Sequence, residues 1–423
     1  MLKKISVLVM PMLMAVCTVV QAGELEIYPT LAVQEEYTDN VFETNSNRES
    51  DFISRFIPGF SLTYKAPVLE GDIRYLFDYR YYAKSRDDDI THTLSANGHL
   101  TVIENLFFLD MSDNYQRVSL DITRDVTQES LFIDQTDRNI AIISPNLVLR
   151  PNSRAEVKLG YRFLDTRYTN DNLGINNIDN TSQTTGSLGI NKMEHMGFLQ
   201  ITYELSPKWY LTADYDFVRQ TSDLDDLNHH LANGGIRYEY AEKSFLFAKA
   251  GNTWINYDSG KRMSNFFWHA GVTHTFPTLV TTLVTGVKYD EDPLSTITRE
   301  TYVKGNVNKE FINSAVGGSL FYSEFARADT GKLDTRKYGG EIHARHEFGA
   351  RLSGKVAFAA ENYEQPLIPG KTRRLIAETG LSYKLAEQLT VSLSYIYVDY
   401  YSRTILSDNR HVNRGIFEVQ KFF

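Results

Sequence analysis

The stretch Asp72-Ile73-Arg74-Tyr75-Leu76-Phe77-Asp78-Tyr79-Arg80-Tyr81-Tyr82-Ala83-Lys84 decides the fold. Its odd positions read Ile, Tyr, Phe, Tyr, Tyr, Ala; its even positions read Asp, Arg, Leu, Asp, Arg, Tyr, Lys. A period of two belongs to a β-strand whose two faces meet different surroundings. Here one face is aromatic, the other carries whole charges, and the alternation recurs about 20 times without a helical period between. That combination predicts an all-β chain closed into a single antiparallel transmembrane β-barrel, with its apolar face to lipid and its charged face to a wet lumen.

The start of the chain supplies an address. Met1-Leu2-Lys3-Lys4 is basic, Ile5 to Val20 is apolar, and Val20-Gln21-Ala22 offers small residues before Gly23. This predicts a secretory signal peptide over residues 1–22, cleaved after Ala22, and one barrel domain over 23–423 in the bacterial outer membrane. Cys17, the single cysteine, lies in that leader, so the rest of the chain has no thiol for a disulfide, a metal or a nucleophile. A mean hydropathy of −0.33 beside 26 Tyr and 24 Phe suits a barrel, which needs an apolar residue only at alternate positions and aromatic girdles at both interfaces.

Turn residues cut the chain into strands. Short turns are expected at 65–71, 104–105, 151–154, 206–208, 241–244, 276–278, 347–350 and 385–388. Longer polar loops are expected at 39–51, 85–89, 120–137, 168–180, 220–230, 256–264, 289–298, 326–337, 363–373 and 401–411. Short periplasmic turns alternating with long external loops give about 20 strands, or about 18 if the first strand stays outside the wall. Thr181 to Leu205 is long for one strand and is expected to bend at Glu194 to Gly197. The last stretch, Arg414 to Phe423, resembles the terminal strand read by the bacterial barrel-assembly machinery: Phe417, Val419 and Phe423 share one parity, which Lys421 breaks.

Parity also names the residues expected to line the lumen. Arg74, Asp78, Arg80, Tyr82 and Lys84 share one face, and other strands add Arg162, Arg237, Glu239, Arg345, Arg374 and Glu378. The whole chain carries a formal charge of −9, which becomes −11 without Lys3 and Lys4. The lumen is therefore expected to be mixed in sign, a hydrated pore or a wall zipped by ion pairs, with the excess acid in loops. The acidic balance and the lack of a basic stripe exclude nucleic acid.

Nothing marks an enzyme. The chain has no Gly-x-Ser-x-Gly elbow, no His-Glu-x-x-His helix and no phosphate-cradling glycine loop, and His343 and His346 fall on opposite strand faces. Asp87-Asp88-Asp89 and Asp223-Leu224-Asp225-Asp226 lack calcium-loop spacing and read as solvated loops. No metal or cofactor is expected.

One segment carries a resemblance. Leu31-Ala-Val-Gln-Glu-Glu-Tyr37-Thr-Asp39-Asn40-Val41-Phe42 is followed by Ser50-Asp51-Phe52-Ile53 and by Phe56-Ile57-Pro58-Gly59-Phe60-Ser61-Leu62. It resembles the opening of the β-barrel porin family of bacterial exopolysaccharide gene clusters, including its PEP-CTERM-associated branch. Tyr37, Asp39, Asn40, Phe42, Asp51, Phe52 and Pro58 carry the match, which covers roughly the first forty residues after the leader. The resemblance implies a barrel that takes part in export or assembly of a secreted polysaccharide. Its expected partners are outer-membrane lipid and lipopolysaccharide, the barrel-assembly machinery, the polysaccharide and a periplasmic export protein. Read locally, the same residues form a strand entering an Asp/Asn turn and a kink or bulge at Pro58, a structural role before a chemical one. A general diffusion porin and a structural barrel with a filled lumen are the other two expectations.

Overall fold

The computed structural model describes residues 23–119, 135–169, 189–292, 295–328, 330–366, 370–406 and 409–423. The leader over 1–22, most of the loop expected at 120–137, and residues 170–188 lie outside the described residues. The alternating stretches become twenty strands. The first seven are β1 (Glu24–Thr38), β2 (Asp51–Lys65), β3 (Leu69–Tyr82), β4 (Asp87–Ile103), β5 (Phe107–Ser119), β6 (Gln135–Asn152) and β7 (Ala155–Thr169). Then come β8 (Lys192–Ser206), β9 (Trp209–Ser222), β10 (Leu227–Ala241), β11 (Ser244–Tyr257), β12 (Arg262–Thr275), β13 (Leu279–Asp292) and β14 (Ser295–Glu310). The wall ends with β15 (Ser314–Arg327), β16 (Leu333–Glu347), β17 (Leu352–Glu364), β18 (Lys371–Ala386), β19 (Leu389–Ser402) and β20 (Arg410–Phe422). No α-helix occurs among the described residues.

Every strand pairs antiparallel with its sequence neighbours, and β1 also pairs with β20 from Thr30↔Phe422 to Thr38↔Arg414. The sheet therefore closes through its two end strands, so neither β1 nor β20 is left as a free edge against lipid. Closure through β1 makes the count twenty rather than eighteen.

Strands of 13 to 18 residues exceed the roughly 9–11 that cross a bilayer. On β7 the outward residues Ala155, Val157, Leu159, Tyr161 and Phe163 give way to Asp165 and Arg167, so the wall continues past the lipid at the long-loop end. Several expected loops are accordingly strand: β4 begins at Asp87, and β13 and β14 run to Asp292 and from Ser295. One short turn, 311–313, was not expected, because Phe311-Ile312 prolongs the apolar alternation. The bend expected at Glu194–Gly197 is absent: β8 keeps one register there with both β7 and β9.

Pro58 also departs from expectation. The β2–β3 ladder skips Ile57 and Pro58 and resumes at Gly59↔Leu76 in the same register, so the wall has a gap and no bulge. Pro145 does the same between β6 and β7, where the ladder passes from Ile143↔Phe163 to Asn146↔Gly160. Proline removes one N–H, and the gap is the least disruptive response in a wall without edges.

Two aromatic girdles mark the lipid boundaries. At the upper one, Tyr75-x-Phe77, Tyr161-x-Phe163 and Tyr215-x-Phe217 face outward beside His92, His195 and His230 on the next strand. Each tyrosine hydroxyl bonds its histidine Nδ1, at 2.8, 2.6 and 2.9 Å. At the lower girdle a basic residue precedes a phenylalanine by two: His274/Phe276, Lys309/Phe311, His346/Phe348 and Lys421/Phe423. Lys421 thus follows a rule of this rim, its Nζ 4.4 Å from the Phe423 ring centre, where a long side chain carries its charge to the headgroups. Phe417 and Val419 face outward on β20, as their parity requires.

Leu159 stands mid-band and 48% exposed on the outer face. Leu159→Arg is expected to cost about 2–4 kcal/mol, as a charge at the bilayer midplane does. Ser392→Arg, pointing into the lumen, should cost little. Urea titrations of the heat-modifiable folded form measure both.

Candidate functional site

The inner wall changes character along the barrel axis. Near the short turns its charges are solvated: Arg74, Arg237, Arg345 and Lys355 are exposed. Near the long loops they are packed away: Glu36, Arg80, Glu300 and Arg374 are 4, 6, 2 and 1% exposed. The inner-face charges are thus wet at the short-turn end and packed at the other.

What fills the tight end is a chain of alternating charge. Arg414 on β20 bonds Glu36 on β1 (2.6 Å), and Glu36 lies 3.9 Å from Arg55 on β2. Arg55 meets Asp78 on β3 (2.5 Å), which also holds Arg80 (2.6 Å). Arg80 then faces Asp89 on β4 at 3.9 Å, Asp89 bonds Arg117 on β5 at 2.7 Å, and Arg117 bonds Asp137 on β6 at 2.9 Å. Buried charges persist only when each is paired, and here every carboxylate stands between or beside guanidiniums. The chain spans seven adjacent strands. Further round the wall, Glu361 joins Arg374 (3.1 Å) to Lys337 (3.3 Å) on β16–β18, and Glu300 joins Lys288 (2.9 Å) to Lys304 (3.0 Å) on β13 and β14.

Arg117 enters this chain by a departure from parity. It belongs to the outward set of β5, yet it grips Asp89 on the inward set of β4. The β4–β5 ladder ends at Leu94↔Tyr115, and above that pair β5 leans inside β4. Strand parity alone places Arg117 outside, which is why the sequence did not expose it.

The expected lumen residues divide accordingly. Asp78, Arg80, Tyr82 and Arg374 face inward and are buried at the tight end. Arg74, Arg162, Arg237, Glu239, Arg345 and Glu378 face inward below it, with Arg237 on Glu239 (2.7 Å) and Glu378 on Lys355. Lys84 is not in the lumen: it lies beyond β3 in the turn to β4, with its Nζ on Ser50 Oγ at 2.5 Å. Arg55, Glu36, Asp89, Glu361 and Arg414 were not anticipated, although each shares the inward parity of its strand.

The residues that carry the resemblance form a clasp. Asp39 accepts Asn413 N–H (2.8 Å) and Nδ2–H (2.6 Å), tying the end of β1 to β20. Asn40, wholly buried, donates to the carbonyls of Thr44 (2.8 Å) and His411 (3.1 Å) and accepts the Thr44 N–H (3.0 Å). Asp51 caps the far side, accepting N–H groups of Phe52 (2.8 Å) and Lys84 (2.9 Å). Val41 packs with Ile53 and Tyr82, drawing the first loop into the lumen mouth, with Phe42 against them. The Tyr37 and Phe52 rings meet outside, tilted, with centres 5.0 Å apart. These residues shut the seam where the two ends of the sheet meet.

Lower in the wall, a cavity of about 570 Å³ opens across β3–β7, lined by Asp72, Asn97, His99, Asp110, Ser144 and Arg162 among others. Asp110 takes His99 Nδ1 (2.6 Å) and Asn146 Nδ2 (2.9 Å), and Asn97 donates to Asp72 (3.1 Å). In the loop after β11, Asp258 is held below the usual carboxylate range by its hydrogen bond from Arg219. No cluster of three or more His, Cys, Asp or Glu suited to a metal occurs among the described residues.

No protein-family model matches the chain, and no curated protein matches it in sequence. Solved structures are similar in fold. The siderophore receptor PirA from Pseudomonas aeruginosa aligns at TM-score 0.53 and 9% identity, over 94% of this chain and 80% of that one. A mutant of the ferric enterobactin receptor PfeA, also from Pseudomonas aeruginosa, aligns at 0.52 and 9%, over 94% and 80%. The FrpB iron transporter from Neisseria meningitidis aligns at 0.51 and 11%, over 93% and 81%. The fold is that of an outer-membrane β-barrel, and identities this low carry no more than fold.

Glu36 sits buried between Arg414 and Arg55. Glu36→Ala should cost about 3–5 kcal/mol, because it strands buried guanidiniums. Glu36→Met with Arg414→Met should recover part of that loss. Urea midpoints of the two variants and the parent check the ordering.

Proposed function

We propose that this protein is an outer-membrane conduit for a hydrophilic polymer, and that the polymer is a secreted exopolysaccharide leaving the cell. The supporting observation is the funnel: solvated inner-face charges at the short-turn end and buried, mutually neutralised ones at the long-loop end. Short turns face the periplasm in this architecture, so the open end meets a polymer arriving from inside the cell. Twenty strands enclose more than the roughly 16–18 that already leave an aqueous channel.

The chemistry of the wall favours hydroxyl-rich cargo. Acceptors and donors alternate around the lower cavity, with Asp72, Asp110, Asn97, His99, Ser144 and Arg162 in reach of one ligand. Arg80 is committed to Asp78, so cationic guidance falls to Arg74 and Arg345, which remain exposed. The specific cargo follows from the resemblance at residues 31–62. The same reading has the chain delivered by a cleaved leader, inserted by the barrel-assembly machinery and acting with a periplasmic export protein, without catalysis of its own.

Planar-bilayer recordings test this. Hydroxyl-rich oligosaccharides added at the short-turn side are expected to interrupt the current transiently, and to do so far less from the other side. Equal block from both sides with free passage of small solutes would favour a general porin. No current from the parent, nor from Arg55→Ala with Arg117→Ala, would favour a filled structural barrel.

A further inference from the structure

The ladder between β12 and β13 is the shortest in the wall. It runs from Thr275↔Val280 to His269↔Gly286 and stops, although β12 continues to Arg262 and β13 to Asp292. Above it, parity and contact disagree. Ile255, Thr253, Met263 and Asn265 belong to the inward set of β11 and β12. Val287, Tyr289 and Arg299 belong to the outward set of β13 and β14, because their neighbours Lys288 and Glu300 face the lumen.

Yet the two sets touch. Ile255, Leu227, Tyr257, Ile297 and Ala328 form one buried cluster, with Met263 and Tyr289 packed on it. Arg299 Nη1 donates to Asn265 Oδ1 at 3.0 Å, and the His229 and Tyr289 rings lie 5.3 Å apart. Val287 is outward yet 4% exposed. Outward residues of one hairpin can cover inward residues of its neighbours only if that hairpin lies inside them. The upper β13–β14 hairpin is tucked into the lumen.

This position carries two costs. The upper halves of β12 and β13 give up their mutual ladder. His229 Nε2 and Arg299 Nε are buried in the joint without a hydrogen-bond partner among the described residues. Against these stand the apolar cluster, the Arg299–Asn265 hydrogen bond and the contacts of Tyr289 with Thr253, Asn265 and His229. A second position answers both costs. Continuing the existing register would set Trp268 opposite Val287 and Phe266 opposite Tyr289. Tyr289 would then join Phe266, already 62% exposed on the outer face, and the polar atoms of the joint would meet water.

We propose that the upper β13–β14 hairpin is the gate of the lumen: tucked, it narrows the outer end, and zipped against β12 it becomes wall and clears the passage. This rests on the conduit reading, and the test separates the two. Residues 23–423 contain no cysteine, so engineered pairs report cleanly. Phe266→Cys with Tyr289→Cys is expected to form a disulfide in membranes under mild oxidant, as the ladder pair Thr273→Cys with Thr282→Cys must. Locked in that way, the channel should conduct several-fold more than with Ile255→Cys and Ile297→Cys joined by a bifunctional thiol reagent, and reductant should reverse the gain. Ile297→Asn, which places an amide in the apolar cluster, should raise the open fraction without any cross-link. Failure of the 266/289 pair beside a formed 273/282 pair would overturn the two positions. A formed 266/289 pair that leaves a conducting channel unchanged would overturn the gate and spare the conduit. A formed pair with no current in any variant would overturn the conduit, and the gate with it.

Discussion

A sheet crossing lipid must satisfy every backbone N–H and C=O within itself, and closing β1 onto β20 is how this chain does so. Much else follows from that closure. Without edges, prolines cannot be placed at a margin, so Pro58 and Pro145 open gaps inside the wall while the register holds. The residues around Asp39 and Asn40 shut the seam. A strand of fixed two-residue period also commits every second side chain to the lumen, whatever its polarity.

The lumen then has to accommodate that commitment. Where water reaches the wall, charges need no partner, and Arg74 and Arg345 have none of the burial seen higher up. Toward the long loops the wall narrows, and charge survives only as the linked series from Arg414 to Asp137. Apolar clusters fill the rest: Val41, Ile53 and Tyr82 under the first loop, and Ile376, Val398 and Tyr400 on β18 and β19. One barrel thus holds a solvated funnel and a packed collar.

The alternation of residues 72–84 was enough for the fold class, the turn pattern along the chain pointed to about 20 strands or about 18, and the faces of several strands followed, because period and burial are the same fact in a barrel wall. Asp78, Arg80, Arg374 and Glu378 share the inward parity of their strands for that reason. What the sequence withheld is tertiary. Arg117 and Tyr289 contradict their own parity, since they sit where neighbouring ladders part and one strand slides behind another. The pairing of Glu36 with Arg414 joins the two ends of the chain, a proximity no local pattern announces. Lys84 was misplaced by a count of two residues, because β3 ends at Tyr82.

The lumen is open to water from the short-turn end and closed by buried charge pairs at the other. Single cysteines at Asp72, Arg74, Arg80 and Tyr75, each titrated with a membrane-impermeant thiol reagent from either side, test it most directly. The account predicts fast labelling of positions 72 and 74 from the short-turn side, slow labelling of 80 from both sides, and none of 75 in lipid. Labelling of 75 as fast as 74, or of 80 as fast from the long-loop side as 72 from the other, would contradict it.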